Sequence, residues 1–179
     1  MKYTKNQYWI FVFVWVVCIY STLSAVRPLC EILKKNTPFV LIANLFLGSL
    51  LAILFTRLIQ GIKRKRMSGY FLLAAAALCY IYGLKTVTYP EEKIHFLEYG
   101  FLAYLIYRAL RFDCPKILAA LGSFFLTTIL GWMDEGIQHL LPNRYYQNED
   151  VVLNSVSGFL ALLLIFIYER GRPKDENRL

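Results

Sequence analysis

The chain has 179 residues, 58% of them hydrophobic and 16% aromatic, and a mean hydropathy of +0.46. A soluble domain of that length cannot bury so much apolar surface, so the sequence reads as a single domain, 1–179, of an all-α polytopic membrane bundle. Its net charge of +8 then reports on the two sides of a membrane; nucleic acid is not expected as a partner, and membrane lipids are.

In chain order, about six transmembrane helices are expected, at 8–26, 37–57, 69–88, 94–110, 117–139 and 150–168. Each lies near the ~20 residues that span a hydrocarbon core of ~30 Å. The first resembles a signal peptide, with Lys2 and Lys5 before its apolar run. That run is long and aromatic, however, and ends without a small-x-small site, so it is read as retained. Residues 27–36, with Arg27, Glu31, Lys34 and Lys35, are expected to form a solvated outer loop. Ala74–Ala77 in the third segment suit close helix packing. The fourth is the weakest by hydropathy, since His95 and Glu98 fall in its first turns, but its amphipathic spacing supports a helix. No internal repeat points to a transporter of inverted halves. Cys18, Cys30, Cys79 and Cys114 give no disulfide framework or metal spacing.

Basic residues set the expected orientation. With both termini in the cytoplasm, 14 of the 20 Lys and Arg fall inside, including Lys63, Arg64, Lys65 and Arg66. With the acids included, the inner side carries +10 and the outer side −2. That asymmetry is the positive-inside pattern.

Between two apolar runs lies a polar island, Asp134 to Gly158, broken at Pro142 and Asn143. Steps of three and four put Asp134, Glu135 and Gln138 on one helical face, with Gly131 behind them, and Asp150, Asn154 and Ser157 on another. The fourth segment adds His95, Glu98 and Tyr99 just after Lys93. Topology brings all three stripes to one membrane surface, where ionisable residues face the bundle interior. A polar chamber opening outward and holding His95, Glu98, Asp134, Glu135, Arg144 and Asp150 is expected. Taken singly, each residue suits a network that fastens helix ends. As a set, the acids outnumber the cations, which favours a ligand or substrate site. A His beside carboxylates can act as a general base, and a crowded carboxyl can act as an acid. His95, Glu98, Asp134, Glu135 and His139 are also metal-ligand types, but they lack a pair of His at fixed helical spacing, and no metal is assigned. The cofactor is left open.

The order of these motifs resembles the VanZ-like membrane proteins. The similarity runs through Lys93-Ile-His95-Phe-Leu-Glu98-Tyr99, then Asp134, Glu135 and Gln138, then Pro142 and Arg144, then Asp150, Asn154 and Gly158, covering 90–168. Asn143 departs from the glycine that the family commonly carries before its arginine, and the first three segments match in hydrophobicity only. The resemblance implies a multi-pass protein of the bacterial plasma membrane, acting at its outer face in cell-envelope modulation or glycopeptide (teicoplanin) resistance. It does not supply a biochemical activity. Two mechanisms follow. One is an intramembrane hydrolase or transferase acting on a lipid headgroup or lipid-linked precursor, with His95, Glu98, Asp134 and Glu135 as candidate catalytic groups. The other is a non-catalytic binder of an amphiphile. In both, Lys93, Tyr99, Gln138, Arg144, Asp150 and Asn154 are candidate substrate-binding residues.

Overall fold

The computed structural model describes residues 3–61, 67–87, 90–141 and 146–171. These residues form six α-helices: α1 (Lys5–Asn36), α2 (Phe39–Gly61), α3 (Met67–Thr86), α4 (Pro90–Leu110), α5 (Lys116–Leu140) and α6 (Asn148–Gly171). Helix α1 starts at a capping box, in which the Thr4 hydroxyl accepts from the Gln7 amide while the Thr4 amide donates to the Gln7 side chain at 2.8 Å. Five helices are long and apolar enough to cross a membrane: α1 over Lys5–Val26, α2 over Phe39–Gln60, α3 over Gly69–Thr86, α5 over Lys116–Leu140 and α6 over Asn148–Glu169. This is the architecture of a multi-pass membrane protein.

Helix α4 is the exception in hydropathy and the centre of the packing. It touches α1, α5 and α6 along its length, and Tyr99, Leu102, Ala103, Ile106 and Ala109 are buried. A helix shielded from lipid by three neighbours does not need an apolar residue at every position, which is why its hydropathy is low. The rim shows the opposite chemistry: Phe13, Phe71, Leu78 and Ile117 are among many large apolar side chains left exposed. In water such a surface would aggregate, and in a bilayer it is solvated.

The expected loop at 27–36 is instead the last part of α1, which continues through Pro28 to Asn36. Leu29–Lys35 contains neither glycine nor proline, and its leucines, lysines and glutamate are good helix formers. Proline removes one hydrogen bond without ending the helix. Thr37 then stops it, in an extended conformation with its amide on the Leu33 carbonyl.

Two ion pairs gather the end of the bundle at the α4–α5 turn. Lys5 at the start of α1 meets Asp113 in the turn at 2.6 Å, and Lys116 at the start of α5 meets Glu169 near the end of α6 at 2.8 Å. Both are partly exposed and add little stability, but they bring the start of α1 and the end of α6 together. The polar residues lie at the other end.

Small residues bring α4, α5 and α6 together. The buried face of α5 runs Ala119, Ser123, Thr127, Gly131, Asp134, Glu135, Gln138, mostly in steps of four. A β-carbon on Gly131 would stand 2.8 Å from the Asn154 β-carbon, and one on Gly158 would stand 3.0 Å from the Thr127 side chain. Ser123 donates across to the Ala103 carbonyl at 2.7 Å. In lipid, helix association depends on this kind of close approach, because tails and leucines are equally apolar.

Candidate functional site

The first turns of α4, the last turns of α5 and the first turns of α6 meet at one end of the bundle. Among the described residues, two hydrogen bonds join these elements there, and two further contacts lie within α4 and within α5. The Tyr99 hydroxyl of α4 donates to Asp134 Oδ2 of α5 at 2.6 Å. His95 Nδ1 stands 3.1 Å from Glu98 Oε2. Gln138 Nε2 donates to Glu135 Oε1 at 2.9 Å, and the Gln147 amide, just ahead of α6, reaches Glu135 Oε2 at 3.4 Å. Asp150 of α6 lies close enough to His95 and Glu135 for its charge to act on both, and Asp134 lies within the same reach of each.

Burial here is extreme for such residues. Asp134, Glu135 and Asn154 are each 0% exposed, although acids are almost never fully buried without partners. Several atoms in this group have none among the described residues: Asp134 Oδ1 and both Asn154 side-chain atoms, Oδ1 and Nδ2, make no hydrogen bond to them. Gly131 makes the arrangement possible: with no side chain of its own, it admits Asn154 Nδ2 and Tyr99 Cε1, each 3.3 Å from where a β-carbon would sit. An acceptor from α5 and a donor–acceptor pair from α6 are thus left open beside a Tyr–Asp hydrogen bond.

No family model, curated protein or solved structure matches this chain. The VanZ-like resemblance therefore rests on the order of its motifs, and the chemistry rests on the geometry.

His95, Glu98, Tyr99, Asp134, Glu135, Gln138, Asp150 and Asn154 fall in this one region. Lys93 does not turn into it: the buried ammonium donates to Asn44 Oδ1 of α2 at 3.0 Å. Arg144 and Pro142 lie outside the described residues. Ser157 is buried but spends its hydroxyl on the Leu153 carbonyl of its own helix, at 2.6 Å. His139 is exposed. Among the described residues, no group of three or more His, Cys, Asp or Glu is placed to hold a metal ion.

Helix α1 contributes two residues that the sequence did not single out. Trp15 Nε1 donates to the Glu98 carbonyl at 3.0 Å, and the Tyr20 hydroxyl donates to the Leu130 carbonyl at 2.7 Å. They fasten α1 to α4 and α5 at the level of the site. An aromatic in an apolar span carries no pattern that separates this role from packing or interfacial anchoring.

Proposed function

We propose that the chain is a VanZ-like protein of the bacterial plasma membrane whose polar site, facing outward, takes the headgroup of an amphiphile. It acts there in envelope modulation or teicoplanin tolerance. The observation that carries this reading is the buried Asn154 amide, neither atom of which is partnered among the described residues, together with Asp134 Oδ1, which is likewise open among them. Leaving a buried polar group unsatisfied costs about 1–3 kcal/mol, so a residue present only for packing would be apolar. Glu98, Asp134, Glu135 and Asp150 surround His95, and the described lysine nearest in sequence, Lys93, is turned away to α2. That balance suits a headgroup that donates N–H groups to carboxylates.

Asn154→Leu tests the reading. The near-isosteric apolar side chain is expected to leave thermal stability in detergent unchanged, or to raise it by about 1–3 kcal/mol, while teicoplanin tolerance is lost. If the variant is destabilised and tolerance falls only in proportion to its lower abundance, the amide is structural glue and the site reading fails.

A second reading, acid–base catalysis on a lipid-linked substrate, is favoured by the His95–Glu98 contact beside the Tyr99–Asp134 hydrogen bond. His95→Gln separates the two. A binder is expected to lose affinity by degrees, whereas an enzyme is expected to lose turnover and still retain its lipid, a difference that lipid profiling of the variant strain reads directly.

The proposal includes six spans, with α4 as the sixth, and both termini in the cytoplasm. The charge asymmetry supports it, as does the meeting of the start of α1 with the end of α6 around one turn. Reporter fusions after Gly61 are expected to read cytoplasmic and those after Tyr89 external. The reverse at either position overturns the six-span arrangement.

A further inference from the structure

Away from the polar site, α2 stands off from α4 and α6 and leaves a slot with a cavity volume of about 400 Å³. That lies within the range of ~300–1,000 Å³ typical of small-molecule sites. Leu51, Leu54, Phe101 and Ala161 are among its walls, and its lining is almost wholly apolar. From Leu47 to Arg57, both on its α2 wall, the slot extends about 15 Å at the helical rise per residue.

Arg57 stands at one end of this wall and is exposed. None of the ion pairs formed among the described residues engages it. The slot is therefore long, narrow and apolar, with a cation at one end. Water does not fill an apolar cavity, and an empty one forfeits the dispersion contacts of its lining. In a bilayer, the material that can enter sideways is a hydrocarbon chain. The guanidinium is a rigid planar fork of donors that matches a phosphate.

We propose that this slot seats one acyl chain of an anionic phospholipid, drawn from the leaflet on the Arg57 side, with its phosphate on the Arg57 guanidinium. This site has a different ligand from the polar one: it shares α4 and α6 with it, but α2 and α3 take the place of α5 in its walls, and none of the polar site residues lines it. It does not depend on what the polar site does.

Native mass spectrometry of the full chain tests it, with protein purified in mild detergent and incubated with equal amounts of phosphatidylglycerol and phosphatidylcholine of matched chains. The expected result is one phosphatidylglycerol retained per chain in preference to phosphatidylcholine. Arg57→Gln is expected to lose the headgroup preference while still retaining lipid, and Arg57→Lys to keep the preference in weakened form. Ala161→Phe, which fills the slot from α6, is expected to lose both lipids with its helical circular-dichroism signal intact. Should that variant fail to fold, Leu54→Trp narrows the slot from the α2 wall and is expected to give the same loss. Equal retention of the two lipids by the unaltered protein overturns the proposal, as does a preference that survives Arg57→Gln. Unchanged retention in a folded slot-filling variant also overturns it, because the lipid is then only annular.

Discussion

Asp134→Asn is expected to leave the protein folded in the membrane and to abolish the envelope effect proposed for it. The amide has nearly the shape of the carboxylate, and its oxygen can still accept the Tyr99 hydroxyl that Asp134 Oδ2 accepts at 2.6 Å. Interhelical hydrogen bonds of this kind are worth roughly 0.6–2 kcal/mol in a membrane, and this one survives the change. What is lost is the charge and the proton capacity of a side chain whose second oxygen has no partner among the described residues. The measurement is paired: membrane abundance and thermal stability in detergent on one side, teicoplanin susceptibility and envelope lipid profile on the other. Lost function with retained protein supports a working site. Parallel loss of both assigns Asp134 to fastening α4 to α5, and no change in either removes it from the site.

Gly131→Ala is expected to destabilise the protein strongly for the addition of a single methyl group. The new β-carbon would lie 2.8 Å from the β-carbon of Asn154. That atom is attached directly to the α6 backbone and cannot swing away as the tip of a long side chain can. Helices α5 and α6 must separate, at a cost of about 1–3 kcal/mol by analogy with overpacked cores, and the separation pulls Asn154 and Tyr99 out of register. Gly136→Ala is the control. It sits five residues on in the same helix with nothing within 4 Å of its would-be β-carbon, so the better helix former is expected to be neutral or to stabilise by up to about 1 kcal/mol. Melting temperatures of the two variants in one detergent decide the matter: equal shifts would mean that helix propensity, and not the α5–α6 contact, governs this stretch.

Much of the architecture is readable from apolar run length alone. The segments drawn at 37–57, 69–88, 117–139 and 150–168 lie within a few residues of α2, α3, α5 and α6, because the bilayer sets both the length and the hydropathy of whatever crosses it. The buried face of α5 is readable too. Gly131, Asp134, Glu135 and Gln138 share a face by helical periodicity, and the structure buries all four. Where the reading erred, the local signal was ambiguous. Charges at 27–36 looked like a loop, but Leu29, Ile32 and Leu33 continue a helix as readily as they end one, and Pro28 did not stop it.

By itself, the sequence determined that this is an all-helical, membrane-type chain and which polar residues share a face of each helix. Both follow from composition and from the fixed 3.6-residue repeat. Tertiary structure alone decided which helix stands at the centre. Helix α4 is the least apolar of the six by the spanning criterion and the most enclosed, because shielding from lipid is a property of neighbours, not of a segment. It also decided that Lys93 turns to Asn44, that Trp15 and Tyr20 brace the site from α1, and that Asn154 is buried without a partner among the described residues. Hydrogen bonds between helices join residues as far as 110 positions apart. Their geometry is set by how closely glycine and alanine let the backbones approach, which no local pattern encodes.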